Sequence, residues 1–255
     1  MNLVGTHNGL ATYVVRHADD NVVLGQRLAE YVSYAPELEE DLAISNLALD
    51  HIGVAEHLFT YAAKVDGQDS GGDSLAMLRS EREYTNLLIV EQPQNGFDEV
   101  MARQFLFDAY QLPLWLGLSA STGDTLSGIA QRAAKEATYH LRHSSGWIIR
   151  LGDGTDESHD RMQRAIDRMW RFTGEMFEAD DLDREMASDG IGVDPSTLKE
   201  AWESKVDAVL EKATLTRPAD PFQTSGGRTG MHTEHLGPML AEMQWLQRSY
   251  PGLEW

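Results

Sequence analysis

The chain has 255 residues, 42% of them hydrophobic, which is enough to bury a sizeable core without covalent staples. It contains no cysteine, so disulfides, thiolate metal sites, iron–sulfur clusters and cysteine nucleophiles are excluded, and a reducing cytoplasm is the expected compartment. Twenty-one basic residues against 41 acidic ones give a net charge of −20, which argues against nucleic-acid and anionic-membrane partners and fits either a genomic or saline bias or a docking surface for a basic partner.

Helical periodicity dominates, and strand-like alternation bounded by turns is hard to find, so the expected fold is all-α. The N-terminus lacks the charged start and apolar block of a secretory signal, and no run of about 18 apolar residues suggests a membrane span. A first helix is predicted over 9–34, stopping near Ala35 and Pro36, because proline disfavours helical geometry in its predecessor. A second covers about 37–65 and ends in the breaker string DGQDSGGD. A third is predicted over 74–92, ahead of the loop QPQNG.

Two long helices follow, at about 97–118 and 125–151, separated by STGD. Another spans about 157–177, and then come a short acidic segment, a helix near 195–213, the loop RPADPFQTSGGRTG and a closing helix over 232–250. No repeat of 20 to 50 residues is evident. The expected architecture is a single domain over 1–255, a four-helix bundle with core helices at about 9–151 and a helical extension at about 155–255.

The second helix is informative. Leu42, Leu49, Gly53 and Thr60 share one side, while Ile44, Leu47, Val54, Leu58 and Val65 share the other. Apolar or small residues on both sides mean a helix that is central or covered by another subunit. Asp50, His51, Glu56 and His57 interrupt it and need partners, as a polar network or as a site.

The stretch KEATYHLRH places Glu136 one turn before His140, where the two side chains can stack on one helix face. A carboxylate-bridged di-iron centre in a bundle needs four carboxylates and two imidazoles, with a Glu-x-x-His pair on each of two helices. Three residues upstream of the nine histidines stand Val4, Val14, Ala48, Val54, Ala137, His140, Asp156, Thr229 and His232, and none is Glu. The di-iron signature is therefore absent, and Glu136 with His140 reads as a mutually satisfied buried pair. His140 with His143, and His232 with His235, could each offer two ligands, but a capping or interface role suits them better. GGRTG lacks the strand and the Lys-[ST] of a phosphate loop and reads as a hinge. RSEREYTN, with Arg79, Arg82, Tyr84 and Asn86, could contact an anionic group or be an exposed helix laced with Arg–Glu pairs.

Long stretches, among them APELEEDLAISNLALDHIGVAEHL, RSEREYTNLLIVEQPQNGF, ARQFLFDAY, KEATYHLRHSSGWIIRLGDGTDES, MWRFTGEMFEAD and GMHTEHLGPMLAEMQWLQRSYPGLEW, closely resemble the smaller ferritin-like subunits of bacterial phenylacetyl-CoA 1,2-epoxidase complexes. The resemblance runs from about residue 20 to the C-terminus. It implies a ferritin-like bundle and a non-catalytic, structural role beside a homologous catalytic subunit that holds the di-iron centre. A small bridging subunit and a flavin and iron–sulfur reductase are the further implied partners, with no cofactor in this chain.

In the catalytic homologue the helix matching Lys135 to His140 carries a true Glu-x-x-His pair, and here Ala137 takes the Glu position. Vestigial ligand candidates are Asp50, Asp108, Glu136 and His140. On the second helix the corresponding pair falls at Ile52 and Ala55, or at Asp50 and Gly53. Contacts to phenylacetyl-CoA are implied around Glu83, Tyr84, Thr85 and Asn86, and around Arg184, Glu185 and Met186. Two other readings stay open: an independent di-metal oxidase using Asp50, Asp108, Glu136 and His140, and a coenzyme A ester binding module.

Overall fold

The computed structural model describes residues 8–68, 71–219 and 222–251. Among these the chain is all-α and contains no strand. The helices are α1 (Gly9–Tyr31), α2 (Leu38–Val65), α3 (Gly71–Met77), α4 (Phe97–Leu118), α5 (Asp124–Gly152), α6 (Asp156–Trp170), α7 (Asp181–Ser188), α8 (Lys199–Lys212), α9 (Leu236–Met243) and α10 (Trp245–Ser249). No described helix is long and apolar enough to cross a membrane. The described residues fall into two compact units, one within Met1–Val32, Leu42–Pro93 and Gly226–Trp255, the other within Ser33–Asp41 and Gln94–Ser225.

In the first unit α1 and α2 run antiparallel. Asn8, the N-cap of α1, accepts from the Leu10 amide and donates its own amide to Asp66 past the end of α2. Further along, Asn21 faces His51, and Gly25 faces Ala48 and Ile52. A Cβ at Gly25 would lie 2.9 Å from Ile52 Cγ1, so glycine is what lets these helices touch. α3 closes on α2 in the same way, since a Cβ at Gly72 would lie 2.7 Å from the Thr60 amide nitrogen.

The second unit is organised around α4, which is buried along most of its length, and its antiparallel neighbour α5. Phe97 meets Trp147 edge-on at 4.9 Å near one end of the pair. Asp108, midway along α4, meets Ser144. Trp202 of α8 donates its indole N–H to the Leu106 carbonyl at 2.9 Å and packs on Trp170 and Phe177. Such a ring cluster buries a large apolar area while the Trp202 N–H keeps a hydrogen-bond partner.

The long helices match the sequence expectation closely, and the shorter ones depart from it for identifiable reasons. α1 stops at Tyr31, because Ser33 takes a positive φ of 81° and Asp41 accepts from the Ser33 and Ala35 amides. The helix expected over 74–92 is helical only to Met77. Beyond the 3-10 turn Glu81–Glu83, the Thr85 and Leu87 amides donate to the carboxylates of Asp19 and Asp20 on α1, which replace the missing helical acceptors. The closing helix starts at Leu236 rather than near His232, because His232 and Thr233 are engaged by Glu91. The acidic segment after α6 is itself a helix, α7, opened by a reciprocal capping box between Asp180 and Asp183.

Candidate functional site

Each unit holds a buried polar cluster. In the first, Asp19, Asp20 and Glu91 are closed from solvent and every carboxylate is claimed. Asp19 binds the Arg79 guanidinium and accepts from Thr85 through both its amide (2.8 Å) and its hydroxyl (3.0 Å). Arg79 lies 4.3 Å above the Tyr84 ring, which covers its other face. Asp20 receives Arg228 Nη2 at 2.8 Å and the Leu87 amide at 2.7 Å. Glu91 accepts from Asn86 (2.9 Å), from the Thr233 amide (2.6 Å) and hydroxyl (2.7 Å), and lies 2.8 Å from His232 Nδ1.

Electrostatics follow from this packing. Burial alone would lower the His232 pKa, but hydrogen bonding and attraction to Glu91 outweigh it and the net shift is upward. Burial pushes Asp20 up against the opposing pull of Arg228. Burial, with Arg228 and Arg16 adding, holds His17 well below its ordinary value and so neutral. The cluster ties α1, the 79–92 segment and the C-terminal segment together through charge-assisted bonds.

In the second unit, Asp108 on α4 faces His140 and Ser144 on α5. Its Oδ1 accepts from Gln104 Nε2 and its Oδ2 from the Ser144 hydroxyl, both at 2.7 Å. Burial drives its carboxyl up to about 6, against the lowering effects of His140, Ser144 and Gln104.

Glu136 does not close on His140 as the spacing suggested. It pairs with Arg132, one turn back on the same helix, at 3.1 Å. Ala137 is buried in the position that a ligand Glu would occupy. His143 points elsewhere than His140, with its Nε2 2.9 Å from Glu40. On α2, Asp50 is half-buried and Glu56 and His57 are exposed, while His51 is buried with Nδ1 2.9 Å from Asn21 Oδ1.

The segment around Tyr84 is not an exposed helix. Glu83 caps Ser80 from the surface, whereas Tyr84 and Asn86 are fully buried and Thr85 is engaged by Asp19. Arg184 pairs with Asp181 on the exposed side of α7, beside exposed Glu185 and buried Met186. GGRTG is the turn that delivers Arg228 to Asp20. Gly226 (φ 136°) and Gly230 (φ 74°) take left-handed geometry, and a Cβ at Gly230 would run into the Arg82 carbonyl oxygen. Sequence reasoning passed over Asp19, Asp20 and Glu91, although the run RHADDN inside an otherwise apolar helix is a visible sign of buried charge.

These donors do not suit a carboxylate-bridged di-iron centre. Asp108 has both oxygens occupied and a raised pKa, Glu136 is committed to Arg132, and Asp50 has no His three residues on. Four carboxylates and two imidazoles in Glu-x-x-His register are what such a centre takes.

Long helices paired within each unit, with a polar cluster inside each, define an all-α chain of the ferritin-like class. Residues 3–255 match the phenylacetic acid catabolic protein family, and the chain belongs to it. It is 49% identical over 248 residues, 97% of its own length and 100% of the relative's, to one of the subunits of the 1,2-phenylacetyl-CoA epoxidase of Escherichia coli (strain K12).

Proposed function

We propose that this chain is the structural, non-catalytic subunit of a cytoplasmic phenylacetyl-CoA 1,2-epoxidase in aerobic phenylacetate breakdown. It pairs with and stabilises a homologous subunit that carries the di-iron centre, and it works alongside a bridging subunit and a flavin and iron–sulfur reductase. The observation that carries the reading is the end-to-end identity to a protein that is by name one subunit of that epoxidase.

The chain's own residues support the division of labour. Inward positions of α4 and α5 offer Asp108, capped on both oxygens, and Ala137 where an acid is required. On α2, Leu42 and Leu49 are 58% and 65% exposed and Ile52 is 39% exposed, so the second apolar side of this helix lies open in the isolated chain. Large contiguous apolar faces of this kind are what obligate partners cover. Co-expression with the other epoxidase subunits, followed by affinity capture through this chain, tests the reading. A stable heteromer that epoxidises phenylacetyl-CoA only when this chain is included is expected, and full activity of the other subunits without it would contradict the proposal.

A further inference from the structure

The outer face of α5 carries a cleft whose chemistry differs from the rest of this acidic chain. It encloses about 270 Å³ and is lined by Glu40, Tyr139, Arg142, His143, Trp147 and Arg150. Arg142 lies 5.6 Å from the centre of the Tyr139 ring and Arg150 lies 5.2 Å from that of Trp147. The imidazole of His143 stacks on Tyr139 and is 2.9 Å from Glu40, so the cleft's one carboxylate is already engaged.

Three other arginines of this unit, Arg132, Arg161 and Arg168, pair with Glu136, Asp98 and Glu99. Among the described residues Arg142 and Arg150 have no carboxylate partner, and both are exposed. In a chain of net charge −20, two guanidinium groups without a carboxylate partner, each over an aromatic ring, are a local reversal of sign. Arginine and large aromatic side chains at a part-buried cleft are the composition of interface hot spots.

The spacing selects the occupant. Arg142 and Arg150 are eight residues apart on one helix, about 12 Å along its axis. That separation is too wide for one phosphate or carboxylate to bridge. It matches two acidic side chains two turns apart on a partner helix laid along α5, whose apolar residues would meet Trp147 between the two arginines and Tyr139 one turn before them.

We propose that this stripe of α5 docks an acidic helix of a protein partner, with Arg142 and Arg150 as its anchoring cations. The proposal rests on the assembly reading for the existence of that partner. The test uses the full chain co-expressed with the remaining epoxidase subunits, comparing the unaltered protein with Arg142→Glu/Arg150→Glu and Arg142→Ala/Arg150→Ala, by size exclusion and by affinity titration at low and high salt. Both positions are exposed, so thermal unfolding of the isolated variants should match the unaltered chain. The expected result is association weakened by about tenfold or more, most in the glutamate pair, with a shallower salt dependence.

Unchanged association and unchanged salt dependence in both variants overturn the docking site while leaving the assembly reading intact. Failure of the unaltered chain to associate at all overturns both. A parallel titration of the isolated chain with inorganic pyrophosphate covers the small-anion case. Saturable binding that both variants lose, with association unaffected, would make the cleft a small-anion pocket and overturn the proposal.

Discussion

The carboxylate of Glu136 lies 3.1 Å from the guanidinium of Arg132, and the next residue, Ala137, is the one buried on the inner face of α5 with His140. This one-residue offset, about 100° around the helix, separates a half-buried acid paired with Arg132 from a position where an acid would face the interior. Moving a carboxylate into that position should not create a di-iron centre, because one Glu-x-x-His pair falls short of the four carboxylates and two imidazoles that such a centre takes. Ala137→Glu is expected to lose about 2–4 kcal/mol, read as a fall of roughly 5–15 °C in thermal midpoint, with no gain of iron. A variant as stable as the parent that binds iron would contradict this role for α5.

The pair of His232 with Glu91 makes a pH prediction. The folded pKa of His232 is raised above the ordinary 6.5, with attraction to Glu91 overcoming burial. Its stabilising contribution is therefore complete below 6.5 and is lost as pH rises through the folded value. The difference in thermal midpoint between the parent and His232→Gln should be largest near about pH 6 and shrink toward about pH 9. A difference that is flat or grows with pH would exclude this sign.

Asp108 predicts a profile of the same sign, through a cost of ionisation in place of a lost gain. Its carboxyl is raised by burial from 3.8 to about 6, so ionisation costs folded stability as pH climbs through that window, and the cost persists above it. Asp108→Asn keeps an acceptor for Ser144 and removes the charge. Relative to the parent it should gain stability between about pH 4 and 7, by up to about 3 kcal/mol for a shift of this size. Equal pH profiles for the two proteins would mean that Asp108 is not raised.

The carboxylates of α1 give a prediction of magnitude. Arg79→Ala strands a fully buried Asp19, and Arg228→Ala strands Asp20. Each is expected to cost about 3–5 kcal/mol, because an uncompensated buried charge remains, and chemical denaturation would read it directly. A loss below about 1 kcal/mol would show that the cluster does not tie the C-terminal segment to α1.

How far the fold could be read from sequence depends on where each segment finds its hydrogen-bond partners. α2, α4 and α5 satisfy their own backbone and carry sustained periodicity, so their limits were legible to within a residue or two. The 79–92 and 232–235 segments take their partners from Asp19, Asp20 and Glu91, which are distant in sequence, so local pattern suggested helix where the chain is irregular. For the candidate site, the absence of Glu-x-x-His was readable by counting. The turning of Glu136 toward Arg132 and the capping of Asp108 by Gln104 and Ser144 were not, because both depend on rotamers and on a neighbouring helix.

The central claim is that this chain supports oxygen chemistry without holding the metal that performs it. It is tested most directly by assembling the co-expressed complex under anaerobic ferrous loading, separating the subunits and measuring the iron on each. Iron is expected on a partner subunit, with no stoichiometric iron on this chain. About two irons retained per copy of this chain, the loading of a di-iron centre, would contradict it.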